Sequence, residues 1–445
     1  MKTPAAPPPL PPPDGLAAVL QRALGAAIAP AVVDSTGGYL PWDRVRFKTP
    51  PEGLTPDEWW FAIKLARRAT YRGIPTLTNT AGQPFVYALP DEVLRATDSI
   101  ARNASGQITI SEQVTDSDTR DRYVVSSLIE EAITSSQLEG AATSRRDAKE
   151  MLRTGRPPRD HGEHMILNNY HAMERIRELK DEPLTPDLVL ELHRIVTDGT
   201  LENPGYAGRL QDDDAQRVAV WGDGEQLLHR PPPVGELPAR LQALCNFAND
   251  TSGSPYMPPV LRALTIHFMV GYDHYFEDGN GRAARALFYW SMLRQGYWLA
   301  EFLSISRVLR AAPARYARSF LLTEQDDGDL THFFIHHLGV IERAIADLHT
   351  YLARKADEMR SVQSRLRAMP GEYNHRQLAV LDYSLRNPGE YFTVRSHSSS
   401  HRVSVETARQ DLQALERRGM VERFKVSKQF AWRAVPDLPR RLAGS

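Results

Sequence analysis

Twelve residues at 274–285, His-Tyr-Phe-Glu-Asp-Gly-Asn-Gly-Arg-Ala-Ala-Arg, constrain this chain more than any other stretch. They combine a titratable base, two carboxylates, two glycines, an amide and two guanidiniums, a mixture for which a buried core segment has no use. Gly279 and Gly281 let backbone N–H groups approach an anion. The apolar pattern resuming at Ala283 predicts a helix whose positive N-terminal end faces that anion. His274 is suited to take a proton near neutral pH and Asp278 to hold Mg²⁺. Arg282 and Arg285, three apart and so neighbours on one helical face, are suited to clamp further phosphate oxygens.

These residues resemble the signature of the Fic-domain family, His-x-Phe-x-Asp/Glu-Gly-Asn-Gly-Arg-x-x-Arg, through His274, Phe276, Asp278, Gly279, Asn280, Gly281, Arg282 and Arg285. Tyr275 stands where many members have proline, at a position usually written as variable. The resemblance implies transfer of AMP from ATP to a Tyr, Thr or Ser hydroxyl of a target protein, with self-modification expected. His274 would deprotonate that hydroxyl for in-line attack on the α-phosphorus, expelling pyrophosphate. Asp278 would hold the Mg²⁺ or Mn²⁺ between the α- and β-phosphates. Asn280 and the Gly279 and Gly281 amides would form the anion hole, Arg282 would support the β-phosphate side, and Arg285 would bind the γ-phosphate. Phe276 would be a buried pin. Two other readings remain: a Fic-fold enzyme that removes AMP or transfers another nucleotide, and a DNA-binding regulator whose Fic domain senses nucleotide without turnover.

Far upstream, Leu128, Ile129, Ala132 and Ile133 recur at helical spacing and Gly140 is a helix stop, giving a helix near 126–140. Its end, Ser135-x-x-x-Glu139-Gly140, resembles the inhibitory motif of Fic proteins. The resemblance implies that Glu139 pairs with the second signature arginine and fills the space of the γ-phosphate, since a carboxylate and a phosphate compete for one guanidinium fork. Lying N-terminal to the signature, it places the chain with the class inhibited from an N-terminal helix.

Between the two, 217–221 (Arg-Val-Ala-Val-Trp) is β-prone, Gly222-Asp-Gly224 is a turn signal, and 225–229 returns before Pro231-Pro232-Pro233. This resembles the flap hairpin of Fic domains. Val218, Ala219, Val220 and Trp221 would offer an edge to an extended target segment.

A chain of 445 residues has room for two or three domains, and 42% apolar with 24% charged residues excludes disorder for most of it. The net charge of −1 means that nucleic-acid or membrane affinity needs a local patch. The lone cysteine, Cys245, excludes an intrachain disulfide and sits in an apolar helical run, as a core residue does. No stretch approaches the ~20 apolar residues of a membrane span, and the Pro-rich start lacks a signal-peptide core, so a cytoplasmic location is expected.

The expected organisation is a disordered Pro-rich tail at 1–15, an N-terminal extension at 16–120, a Fic catalytic domain at 121–350, a linker helix at 351–370 and a winged helix domain at 371–435. In the extension, 16–33 is expected helical, with short strands at 42–48 and 84–89 around a helix at 59–68. Helical periodicity covers 122–140, 160–179, 185–198, 238–249, 258–272, 283–296, 305–326 and 330–359, so the fold class is mainly α with one hairpin. His267, one heptad before His274, is expected to be an orienting or core histidine. The family analogy implies a homodimer.

The tail departs from that pattern. After a helix at 376–385 and the stretch Tyr391-Phe-Thr-Val394, Ser404 caps a helix at 405–418 closed by Gly419, and two strands at 420–424 and 429–433 follow around a basic turn. This resembles a winged helix-turn-helix domain, with Thr407, Arg409 and Gln410 near the start of the recognition helix. DNA binding, with Arg402, Lys425 and Lys428 on phosphates, and protein contact are both open. Glu406 and Asp411 on that helix weigh against DNA.

Overall fold

The computed structural model describes residues 3–9, 17–19, 21–22, 38–105, 117–217, 220–221, 227–250, 255–367, 372–387, 389–426 and 429–444. The chain divides into two compact bodies, residues 1–108 with 124–346 and residues 109–123 with 347–445. Helices dominate both, with small antiparallel sheets beside them. Of the expected helix at 16–33, residues 17–19 and 21–22 are described and are helical, and the rest lies outside the described residues.

The first body begins with α1 (Trp42–Val45) and α2 (Pro56–Arg68). Thr55 and Glu58 form a reciprocal capping box on α2, and Pro56 supplies its first position. Trp59, Trp60 and Ile63 of α2 close over Trp42 and Val45. The 42–48 stretch is therefore a helical turn rather than the expected strand: Trp42 and Val45, three apart, share one buried face. Of the expected N-terminal tail, residues 3–9 are described, and the Ala5 N–H donates to Asp43 Oδ1 at 3.2 Å.

The strands of this region are β1 (Arg72–Thr78) and β2 (Pro84–Tyr87), antiparallel with Ile74 opposite Phe85. Then come α3 (Asp91–Ser105), α4 (Ser117–Leu138), α5 (Arg145–Thr154), α6 (His161–Glu178) and α7 (Pro186–Thr197). A short ribbon of β3 (Val220–Trp221) and β4 (Leu227–His229) precedes α8 (Leu237–Ala248). Cys245 is buried on α8, where desolvation pushes its thiol up to about 12.

α9 (Pro259–Asp273) and α10 (Asn280–Arg294) are buried on almost every side, which makes this hairpin the centre of the body. His267 is a core residue there, held by Tyr316 Oη at 2.8 Å and driven down to about 3 by burial. The helix expected over 305–326 is two, α11 (Ile305–Arg310) and α12 (Pro313–Gln325), because Pro313 cannot continue a helix but can start one. The long α13 (Thr331–Arg367) runs well past the expected end at 359.

One buried cluster has the composition of a metal site, Asp326, Asp329 and His332. It is neutralised from within: Lys64 Nζ lies 2.6 Å from Asp326, and the Tyr39 and Tyr71 hydroxyls donate to Asp329.

The second body contains α14 (His375–Arg386), β5 (Tyr391–Thr393), α15 (Val394–His401), α16 (Val405–Arg417), β6 (Val421–Val426), β7 (Gln429–Ala434) and α17 (Leu438–Gly444). Its core includes Val380, Leu381, Leu412, Leu415, Trp432 and Leu438. The sheet has three strands in the order β5–β7–β6, and α15 is an element that the sequence reading did not contain. Among the described residues of the chain, no helix is long and apolar enough to cross a membrane.

Candidate active site

The central hairpin places the signature. α9 stops at Asp273, and His274 takes the left-handed conformation, φ 49° and ψ 61°. For a residue with a β-carbon this costs about 1–2 kcal/mol, so the surroundings must impose it. Arg217 does so, donating to the carbonyls of His274 (2.6 Å), Asp273 (2.8 Å) and Pro232 (2.6 Å) and to Gln211 Oε1 (2.8 Å).

Beyond His274 the loop is pinned from below. Phe276 is fully buried and stacks on His193 with ring centroids 3.7 Å apart. The His193 Nδ1 accepts the Gly208 N–H at 3.0 Å, so its Nε2–H donates to the Asp278 carbonyl at 2.9 Å. Burial lowers His193 to about 4, which keeps it neutral in this role. Asn280 ties the loop to itself, accepting the Phe276 N–H at 3.0 Å and donating to the Phe276 carbonyl at 2.7 Å.

Gly279, at φ 81°, then turns the chain into α10 without a side-chain cap. A β-carbon at Gly279 would also come within 2.6 Å of Thr197. The first intrahelical bond of α10 runs from the Ala283 N–H to the Gly279 carbonyl, so the amides of residues 280–282 are the open N-terminal donors. An anion is the partner such an end attracts.

His274 is half-buried at the rim of this end. Desolvation lowers its imidazole to about 4, with Arg217 and His229 adding to the effect. At neutral pH the ring is uncharged and able to accept a proton. Asp278 is exposed (58%), with Arg282 Nη2 at 3.2 Å. The other branch of the Arg282 fork donates to the Val196 carbonyl at 2.5 Å, so this buried guanidinium locks the loop to α7.

Arg285 is 1% exposed and faces the end of α4. Its Nε donates to Ser135 Oγ at 2.7 Å, and its Nη2 donates to the Ser135 carbonyl at 3.0 Å and to Glu139 Oε1 at 2.8 Å. Among the described residues the buried Nη1 has no hydrogen-bond partner in good geometry. The Glu139 carboxylate lies directly against Gly281, where a β-carbon would overlap it. A carboxylate thus occupies the end of α10 to which the sequence assigned phosphates. Gly140, at φ 96°, makes the turn that leaves Glu139 there.

α4 is itself anchored through Glu131, a fully buried carboxylate. It accepts from Ser304 Oγ at 2.9 Å, from the Ser306 N–H at 3.1 Å and from Ser306 Oγ, at the N-terminal end of α11. Burial raises its pKa while the two serines pull it down.

The structure therefore gathers His274, Asp278, Gly279, Asn280, Gly281, Arg282 and Arg285 at one helix end and brings Ser135, Glu139 and Gly140 to it from far upstream. Val220 and Trp221 lie on β3, paired with β4, while Val218 and Ala219 fall outside the described residues. Sequence reading missed His193, Arg217 and Glu131. His193 and Glu131 carry a faint signal, since each is a titratable residue set among buried apolar neighbours of its helix. Arg217 has none, because its acceptors are carbonyls of distant segments.

A buried helix hairpin with an anion-ready end, a neutral histidine beside it and buried arginines beneath it makes a site suited to an anionic group such as a phosphate. Residues 183–292 match the Fic/DOC family, so the chain carries a Fic domain over that stretch. It is 32% identical to a protein adenylyltransferase Fic of Drosophila ananassae over 109 residues, 24% of this chain and 20% of that protein. It is 29% identical to one of Culex quinquefasciatus over 168 residues, 36% of this chain and 31% of that protein. The matched stretch thus spans about a fifth to a third of the length of these curated relatives. A Fic family protein from Desulfovibrio desulfuricans G20 shares the fold, with a TM-score of 0.52 at 18% identity, covering 79% of this chain and 98% of that one.

Proposed function

We propose that the chain is a protein adenylyltransferase that this structure holds in a self-inhibited arrangement. The observation that carries the proposal is the buried Arg285 fork, closed by Glu139 over the open end of α10 while its Nη1 finds no partner in good geometry among the described residues. A buried donor without a partner calls for a functional explanation, and a second, larger anion at the same fork supplies one.

In the active arrangement ATP takes that end, its γ-phosphate on Arg285 and its α- and β-phosphates on the open amides of residues 280–282. His274, neutral at pH 7, accepts the proton of the target hydroxyl. The hydroxyl oxygen then bonds to the α-phosphorus, and the bond from that phosphorus to the bridging oxygen breaks, releasing pyrophosphate. Asp278, an exposed carboxylate with Arg282 beside it, is the residue that would hold Mg²⁺ or Mn²⁺. A single protein carboxylate completed by substrate phosphates suits a hard cation, which would neutralise charge on the α- and β-phosphates. Asn280 and Arg282 keep the loop in shape, since both side chains are spent on loop and α7 contacts.

The β3–β4 ribbon, joined by His229 Nε2 to the Tyr272 carbonyl at 2.8 Å, is proposed to pair with an extended stretch of the target. Self-modification and a homodimer belong to the same proposal and rest on the family resemblance. The test is labelled ATP with the chain alone and with cell lysate. Label transferred to protein from the α-position but not from the γ-position is expected, and label only from the γ-position would overturn the reading.

A further inference from the structure

The second body has work that the first does not explain. Residues 371–445 carry 13 Lys and Arg against 8 Asp and Glu, a net +5, while the rest of the chain carries −6. α15 and α16 are joined by the short turn 402–404, with Arg402 left-handed at φ 51° and Ser404 capping α16. The β6–β7 hairpin follows. Helix, turn, helix and hairpin in this order present one face of α16 to solvent.

That face is built from Glu406, Arg409, Gln410, Gln413 and Arg417, while Ala408, Leu412 and Leu415 point into the core. Apart from Val405 at its N-terminal end, which is 56% exposed, the side chains on the stripe are hydrogen-bonding ones, and the amide and guanidinium groups among them match base edges. A surface for a protein partner would carry a cluster of aromatic or aliphatic anchors, and between Glu406 and Arg417 the exposed side chains of α16 include none. Tyr391 and Phe430, the exposed aromatics nearby in sequence, belong to β5 and β7. The acidic residues do not spoil the face. Asp411 is buried, bound by Arg376 Nε at 2.6 Å and Asn374 Nδ2 at 2.7 Å. Glu406 is met by Arg409 at 3.2 Å and Gln410 at 3.4 Å of its own helix. Around the stripe, Arg395, Arg402 and Lys425 are exposed and, among the described residues, none has an anionic partner.

We propose that residues 372–444 bind double-stranded DNA, with the Glu406–Gln410–Gln413–Arg417 stripe of α16 in the major groove and Arg395, Arg402 and Lys425 on the phosphates. Loss of counterions from the duplex then supplies most of the sequence-independent affinity, and the stripe supplies preference among sequences.

The test uses the full chain and a fluorescein-labelled mixed-sequence 30-bp duplex, followed by anisotropy from 50 to 200 mM NaCl. Binding is expected at about 10⁻⁴–10⁻⁶ M near physiological salt, with the affinity falling steeply as salt rises. Replacing Arg395, Arg402 and Lys425 together by Gln removes three phosphate contacts, so the log–log salt slope should shrink by about 2.7, or ~0.9 per contact. These three side chains are exposed, and an unchanged melting temperature checks that the fold is intact. Selection from a random duplex pool should enrich a sequence with the wild type and lose it with Gln410→Ala/Gln413→Ala, while affinity for the unselected pool stays the same. No binding at 50 mM NaCl, or a salt slope untouched by the triple substitution, overturns the proposal. So does a chain that ignores DNA and changes its oligomeric state on Arg409→Glu/Arg417→Glu, which would make the face a protein contact.

Discussion

Replacing Glu139 by Gly should raise AMP transfer by about ten- to hundredfold. The magnitude follows from the contact that is lost. Arg285 is 1% exposed, the Glu139 side chain 28%, and the two meet at 2.8 Å, a charge-assisted bond shielded from water on one side. Such a bond is worth about 1.5–3 kcal/mol, and ~1.4 kcal/mol corresponds to a factor of ten. Ser135 stays on the same guanidinium through its Oγ and its carbonyl, so the effect remains below the roughly 3–5 kcal/mol of a buried charge stripped of its partner. The assay is label transfer from α-labelled ATP, wild type and variant side by side, with melting curves to show that both are folded. Glu139→Gln, which keeps the bulk and one acceptor but not the charge, should fall between them. Arg285→Ala in the Glu139→Gly background should depress transfer again, because the γ-phosphate loses its anchor. Unchanged or lower transfer in well-folded Glu139→Gly would refute the reasoning and leave Glu139 as a helix-end residue or a group for removing AMP.

His274→Ala should lower transfer by ~10²–10⁴-fold while ATP binding, measured by calorimetry, stays close to wild type, since a base acts on the incoming hydroxyl. The pH profile of kcat/KM in the Glu139→Gly protein should show no acid limb between pH 5.5 and 7.5. Burial lowers His274 to about 4, so the base is free across that range and is lost only as pH falls towards 4; a limb centred near 6.5 would contradict the desolvated site. Glu131→Ala should also raise transfer, by loosening α4 from Ser304 and Ser306. In a Glu139→Gly background it should add almost nothing, a non-additivity that a general loss of stability would not produce.

The parts of the site legible in the sequence are those whose chemistry is local. Gly279, Asn280 and Gly281 announce a helix beginning that needs left-handed backbone and open amides, and the structure places them there with φ 81° at Gly279. The pairing of Glu139 with Arg285, about 150 residues apart, became readable only through the resemblance, because no period or spacing links the two segments, and the Ser135 contacts with the same guanidinium came from the structure alone. Arg217 shows the opposite limit. It read as part of a β-prone run, yet its guanidinium is what holds His274 in its strained backbone, through carbonyls that no pattern marks. β1 escaped because Arg72, Gly73 and Pro75 look like punctuation, which a two-stranded ribbon tolerates at its edges. The 42–48 stretch erred the other way: its aromatic and β-branched residues suggested a strand, while their i, i+3 spacing suited one turn of helix under Trp60.

Burial of Arg285 also gives a physical reason for the proposed inhibitory role of Glu139. A guanidinium that water cannot reach is costly to leave unpaired, so the empty active site requires an anion as much as the loaded one does. In the proposed function Glu139 supplies it when ATP is absent, and the γ-phosphate would supply it when ATP is bound, so Arg285 would face an anion in both arrangements. The preference between the two arrangements then rests on contacts that only one of them makes. For the closed arrangement these include the Glu131 clamp on α11, the Thr134 hydroxyl 3.2 Å from Ser304 Oγ, and Ser136 Oγ on the Met165 carbonyl at 3.0 Å. Gly281 serves both occupants, since a β-carbon there would collide with the carboxylate and would stand in the way of a phosphate at the same amides. If the proposed function holds, factors that stretch or release α4 at those anchors would raise AMP transfer without touching a residue proposed to bind ATP.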